Sequence, residues 1–511
     1  MNTREHETMK MRGSADISYL GQTVDEMIWE FMSEEKIPGL TLAIVQAPYI
    51  PRVVGYGFSD EGQKRLASPE TMWPAGPISQ AYAAVAVMQL CEDGKLTVED
   101  ELGSLIPEVL KEWKEITVIQ LLRHSSGLPD YRQAEEFDQH KTWTLEELLN
   151  LAGRHSLQFR PGTDVQQSAT NFLLLTEIVE RVSKVSYHDF ITRRQIEFLG
   201  LRHTGFAEDL DKFVHEDVSL SGNVHQLFKK DGLYISPTEP AASYDENHRL
   251  IQRAESSALR GFSDIWASAQ DISLWDIGLA GAVLIHEPQN RALIYKPWIL
   301  PDGREVPAVA GWQFYHHRGL MDIKGSVEGF SSFLSRFTDP EELVCVTLLA
   351  NKEGVDFTNL GRRIAAAFGD LLSTNYDDNS LYLSEGQFSV SETVSRLEKE
   401  LESRGIPVFA KFDHAENAKN AGLDLRPTTV LVFGSPSVGT GLMQADQSIA
   451  LELPLRIAVW EDGEGSTWLA FPGIKRMMAE YGLESHPAAG KIQKLLQELV
   501  YICGNVYNES R

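Results

Sequence analysis

Residues 73–96 read WPAGPISQAYAAVAVMQLCEDGKL, and this stretch decides the fold. Its core, Ala81 to Leu90, is almost uniformly apolar, rich in alanine and longer than an ordinary strand. Such a run predicts a helix buried on most of its circumference. Pro77 suits the first turn, where its missing N–H would have had no partner in any case. Gly94, after Glu92-Asp93, is the expected left-handed stop. A helix buried all round forms the spine of a domain, and the rest of the chain is read outward from it.

The stretch resembles the central helix of the serine β-lactamase and penicillin-binding protein superfamily, in its class C, D-aminopeptidase and esterase branch. In that family the helix opens with S-x-x-K, a nucleophilic serine and, one turn later, a lysine that tunes it. Here Pro77 stands in the place of the serine and Gln80 in that of the lysine. Proline has no hydroxyl, and glutamine cannot serve as a base. Upstream, an amphipathic helix over 18–36, IPGLTLAIVQ at 37–46 and VVGYGFSD at 53–60 resemble the family's opening helix, IPG turn and two antiparallel strands. Downstream, ITVIQLLRHSSGLPDY at 116–131 matches a segment that is structural in the family, so His124, Ser125 and Ser126 are expected to hold a turn.

The other two reactive motifs are also altered. FRPGTDVQQSATNFLLLTEIVERVSKVSYHDF at 159–190 resembles the segment that carries Y-S-N. There the phenol takes part in proton transfer and the asparagine orients the substrate amide. Gln167 replaces the tyrosine and Ala169 the asparagine, with Ser168 kept between them. IKGSVEGFSSFLSRF at 323–337 matches the strand that supplies a cation or imidazole. Ile323 holds its first position and Gly325 its last. Lys324 is one residue out of register, and strand alternation points it to the opposite face. The resemblance implies an α+β, β-lactamase/transpeptidase-like fold over 18–372, an antiparallel sheet flanked by helices with a helical subdomain.

Residues 373–387 are polar and turn-rich and are expected as a linker. Beyond them, 388–503 alternates strand and helix patterns as a small α+β unit. It resembles the DUF302 family through ETVSRL, DHAENAKNAG, VFGSPSVGTGLM and LPLRIAVWED. That family has no established role. Its candidate site here is His414, Asn417 and a loop from Gly434 to Gly441 that includes Gly439 and Thr440. A strand delivers that loop to a sheet edge, where backbone N–H groups can face an anion or a polar molecule. The plainer alternative is a tight turn with Pro436, a capping Thr440 and His414 capping the next helix.

Composition removes other classes. A net charge of −26 over 511 residues disfavours nucleic acid and anionic membranes as partners. Three widely spaced cysteines make neither a disulfide framework nor a zinc motif, and no metal or cofactor is expected. The first residues, MNTREHETMKMRGS, lack a signal-type apolar run, and no stretch approaches the roughly 20 apolar residues of a membrane span. A cytoplasmic protein is expected. The leading functional reading is a β-lactamase-fold protein without catalysis. It would bind a small polar molecule or a protein partner near Ser79, Gln80, Gln167, Ser168, Lys324 and Gly325, and it is compatible with a homo-oligomer. The alternative is an active esterase or amidase with relocated groups: Ser79 or Ser168 as nucleophile, with Lys324 or a histidine of His316-His317 as base. A third reading puts the working site in the C-terminal unit alone.

Overall fold

The computed structural model describes residues 17–504 apart from residues 20, 47–48, 212, 214–227, 231, 237–238, 246, 296–297, 302–304, 307–311, 313–319, 339–342, 369–374, 378–380, 464, 475–476, 479–480 and 484–485. The chain divides into two compact units, built mainly from residues 22–368 and 369–511. His316 and His317 lie outside the described residues.

In the first unit, Thr23 fixes the start of α1 (Val24–Glu35) by a capping box. Its hydroxyl accepts the Glu26 N–H, and the Glu26 carboxylate accepts the Thr23 N–H at 2.9 Å. The helix expected over 18–36 is therefore shorter, and Ser18–Tyr19 pairs with Gln22–Thr23 as short strands ahead of it.

The main sheet uses β1 (Gly39–Gln46), β2 (Tyr49–Asp60), β3 (Arg65–Leu66), β4 (Phe228–Lys230), β5 (Leu233–Ile235), β6 (Leu320–Val327), β7 (Phe330–Thr338) and β8 (Leu343–Ala350). The strand order is β6-β7-β8-β1-β2-β3-β5-β4. Pairing is antiparallel except between β3 and β5, and β8 closes onto β1 with Cys345 opposite Val45. All of β1 is buried, as a strand covered on both faces must be.

The two covering layers can be read from neighbouring residues of β8. Thr347 lies 3.5 Å from Ser273 of α4 (Ala269–Ala280). Leu348 is level with Phe333 of β7, whose ring packs on Gly361 of α5 (Thr358–Ala366). Alternation along the strand therefore puts α4 on one face and α5 on the other.

The central helix, α2 (Ile78–Glu92), is the expected spine: every residue from Ile78 to Leu90 is buried. It ends at Asp93, and Gly94 follows with φ +66°. It packs against α3 (Ala169–Ser183). Tyr82 stacks on Trp275 of α4 at 4.3 Å between ring centroids. Gln195 ties both, accepting from the Trp275 indole at 2.8 Å and donating to the Tyr82 carbonyl at 3.0 Å. Full burial of each such large side chain contributes roughly 1.5–3 kcal/mol. Another tie is ionic: buried Arg336 of β7 pairs with buried Asp276 of α4.

The second unit holds β9 (Asn375–Asp377), β10 (Leu381–Gly386), β11 (Val408–Asp413), β12 (Thr428–Phe433), β13 (Leu455–Glu461) and β14 (Thr467–Pro472). They form an antiparallel sheet in the order β9-β10-β14-β13-β12-β11. Helices α6 (Val390–Ser403), α7 (His414–Asn420), α8 (Pro436–Ala445) and α9 (Ala488–Gly504) complete it. Leu397 and Leu401 of α6 meet Leu431, Phe433, Ile457 and Val459 of the sheet, with Leu496 and Leu499 of α9 beside them. The expected linker, 373–387, is corrected here. Residues 381–386 are an interior strand, with Tyr382 stacked on Phe471 at 4.0 Å.

Candidate functional site

The start of α2 is held by a three-stranded sheet of Trp73–Pro74, Ile265–Ala267 and Thr204–Phe206, and the Ala75 N–H donates to the Ile265 carbonyl at 2.8 Å. Pro77 follows as the N-cap, with no side-chain hydrogen bond to the helix. Its ring lies on Gly325 of β6, where a Cβ would stand 2.5 Å from the Pro77 Cγ. The two residues thus meet as apolar surfaces where the resemblance puts a nucleophile and the end of the third motif.

Gln80, one turn on, is fully buried, and its Oε1 lies 3.0 Å from the His124 Nε2. On the other side of the imidazole, the Ser168 N–H and the Asn171 amide reach Nδ1 at 3.3 and 3.0 Å. Two donors at Nδ1 fix the proton on Nε2, which donates to Gln80. Asn171 in turn accepts from the Ser126 hydroxyl at 2.5 Å. Burial pushes the His124 pKa down to about 3, so the ring is neutral. The His-Ser-Ser segment therefore holds a turn, with His124 at φ +54°, and also locks the lysine-equivalent position.

The remaining candidates do not gather around Pro77. Ser79 is fully buried, and its hydroxyl accepts the Ile265 N–H at 3.2 Å. Ser168 and Ala169 are fully buried at the start of α3, whereas Gln167 is exposed in the loop before it. Ile323 belongs to the core. Lys324 points to the α5 face, as alternation requires, donating to the Thr358 hydroxyl at 2.7 Å and facing Asp356 at 3.4 Å.

A polar cleft of about 560 Å3 does open beside Pro77, but other residues line it. They include Arg132, Asp138, His140, Ser263, Glu328 and Glu353. The expected ligand contacts at Gln80, Gln167 and Ser168 are corrected: Gln80 and Ser168 are sealed in the His124 network, Gln167 is not part of the lining, and the cleft is charged. Arg132 is held by Asp130 at 2.6 Å and lies over the Phe262 ring at 4.1 Å. Sequence reading missed this lining because its residues lie in separate segments and, where a quoted motif holds one, as 323–337 holds Glu328, it is not a reactive position of that motif.

In the second unit the candidate residues are far apart. His414 begins α7, where Asp413 rather than His414 is the cap, accepting the Glu416 N–H at 2.9 Å. His414 and Asn417 are exposed. Gly434 follows β12, but the expected loop is mostly helix, since Gly439 and Thr440 lie within α8. The Gly439 N–H is used inside that helix, bonding the Ser435 carbonyl at 3.0 Å. Antiparallel pairing sets Val408 opposite Phe433 and Asp413 opposite Thr429. His414 and Gly434 therefore leave opposite ends of the strand pair, and no shared site forms.

The fold agrees with comparison to known proteins. The beta-lactamase family model matches residues 24–368. The chain belongs to the beta-lactamase family. A second model, the domain of unknown function DUF302, matches residues 384–499, so this beta-lactamase-family chain carries a DUF302 domain as well. Protein flp of Staphylococcus aureus strain N315 is 27% identical over 338 residues, covering 65% of this chain and 63% of flp. The chain thus spans less than two thirds of the length of that relative. Among solved structures, the octameric penicillin-binding protein homologue from Pyrococcus abyssi aligns with a TM-score of 0.55 at 19% identity, covering 88% of this chain and 89% of that one. D-amino acid amidase from Ochrobactrum anthropi SV3 aligns at 0.54 and 18%, covering 68% of this chain and 98% of its own. At such identities the likeness concerns the fold. Among the described residues no helix is long and apolar enough to cross a membrane, and no group of three or more His, Cys, Asp or Glu is arranged to hold a metal ion.

Proposed function

We propose that this beta-lactamase-family protein forms no acyl-enzyme and uses its cleft to hold a small polar ligand, with the DUF302 domain as a fused module. The observation that carries the reading is the contact of the Pro77 ring with Gly325, while Gln80 is bound to a neutral His124. Acyl transfer through a serine needs its hydroxyl to have a base in hydrogen-bond reach. The surviving serines do not supply one: Ser79 is engaged by a backbone amide, and Ser168 lies buried beside an imidazole that already accepts two donors. The solved relatives include a hydrolase of amino acid amides and an octamer, which supports testing small amino compounds as ligands and self-association as a second property.

The test is incubation of the full chain with a fluorescent penicillin, followed by intact-mass analysis. No adduct is expected. A stoichiometric adduct lost in Ser79→Ala or Ser168→Ala overturns the reading in favour of relocated catalysis. Pro77→Ser alone is expected to leave hydrolysis absent, because the members of a catalytic set act as a unit.

A further inference from the structure

One buried carboxylate in the cleft is left unexplained by its turn. β6 and β7 are joined through Glu328-Gly329, with Val327 paired to Phe330. Both turn residues have positive φ, +47° and +82°. Such a two-residue turn favours Asn-Gly, Asp-Gly or Gly-Gly, and a glutamate in the first position is strained. The conformation folds the Glu328 side chain inward, leaving it 8% exposed. Oε2 accepts the Ala254 N–H, while Oε1 has no hydrogen bond and lies 3.9 Å from the His140 Nδ1. Burial pushes this carboxyl above the usual glutamate range, against the Ala254 bond that lowers it.

Behind Glu328 lies a void of about 20 Å3 that it shares with Ser256, Ser263 and Asp264. That is room for one water-sized group. Asp264 is buried as well; its Oδ2 accepts the Gly261 N–H at 2.9 Å and faces the His188 Nε2 at 3.7 Å, while its Oδ1 is without a hydrogen bond, as are the Ser256 and Ser263 hydroxyls. Arg253 also borders the void, its guanidinium 6.0 Å over the ring of Trp266, another lining residue, and 3.9 Å from Asp211. Two buried carboxylates and two hydroxyls thus border a space fit for one small head group. Glu328 and Ser263 also line the cleft beside Pro77, so the void adjoins that cleft.

We infer that this corner is a recognition site for a primary ammonium group, carried by a ligand whose body lies in the cleft. An ammonium offers three donors, matching buried acceptors that lack hydrogen bonds, and its charge suits the carboxylates there better than neutral water does. A bulkier quaternary head does not fit a void of this size. The inference rests on the proposed reading of the cleft as a binding site and names the chemistry that it binds.

The experiment is calorimetric titration of the full chain with benzylamine, benzyl alcohol and benzyltrimethylammonium. Benzylamine is expected to bind at least tenfold more tightly than the other two. Glu328→Gln and Asp264→Asn should each weaken it at least tenfold. Glu328→Gly relieves the strained turn, so it should keep or raise the melting temperature and still lose the amine. Equal binding of benzyltrimethylammonium, undiminished binding by Glu328→Gly, absent benzylamine binding, or equal stabilisation by sodium or potassium chloride overturns the inference. The penicillin adduct assay on the same samples separates the two claims. An amine that fails to bind in a chain that forms no adduct sinks only this inference, whereas an adduct sinks the reading beneath it.

Discussion

His124 and Gly325 are single residues whose surroundings make firm demands. His124 has a native pKa of about 3 against an ordinary value near 6.5, because burial disfavours the imidazolium. Between those values the unfolded chain binds more protons than the native one, so stability rises with pH across the window and is lost as pH falls from about 6.5 toward 3. The slope from this group is at most about 1.4 kcal/mol per pH unit. Melting temperatures from pH 7 to pH 4 should fall, and His124→Asn, which tolerates the φ of +54°, should flatten that fall. An unchanged slope in the variant would remove the assignment. Gly325→Ala would push a methyl group into the Pro77 ring, at a cost of about 1–3 kcal/mol readable by urea unfolding. The combination Gly325→Ala with Pro77→Ala should recover part of that loss. The sequence named both positions from the resemblance, but that Pro77 and Gly325 touch follows from the crossing of α2 and β6.

At the level of elements, α2 could be read from its composition, since an apolar run of that length has no other stable use in a folded domain. Lys324 was also legible, because the period of a strand assigns its face without any knowledge of neighbours. β10 was not. LYLSEG carries serine and glutamate, and the burial of Tyr382 and Leu383 depends on β14 and Phe471, which are distant in the chain. The Gly434–Gly441 stretch was read as a loop because its glycines outweigh weak helical cues, whereas Pro436 in the first turn and the burial of Leu442 carry it into α8. The tie between α4 and β7 gives a prediction at this scale. Asp276→Ala leaves Arg336 charged and buried, and should destabilise the chain by about 3–5 kcal/mol in chemical denaturation. A loss below about 1 kcal/mol would mean that the contacts Arg336 keeps, among them the backbone carbonyl of residue 276 and the Trp312 ring, hold its charge.

For the whole molecule, the two units have separate cores and separate sheets, and the strand order sets where a fragment can be cut without splitting a sheet. A fragment beginning at 388 omits β9 and β10, whereas one from 370 to 511 keeps the second sheet entire. The longer fragment should melt cooperatively, and the shorter one should be insoluble or melt without a sharp transition. Equal cooperativity in both would show that β10 is dispensable.

By itself, the sequence determined the spine helix, the succession of frame segments and the two-unit organisation. Each of these depends on local periodicity and on motifs that are contiguous in the chain. Only the tertiary structure decided where the cleft opens and what charge lines it. Arg132 and His140, Ser263, and Glu328 come from three separate segments, and their proximity depends on how β6, β7 and the intervening loops pack around Pro77. It likewise parted His414 from Gly434, because antiparallel register, which strand composition does not encode, sends the two to opposite ends of one strand pair.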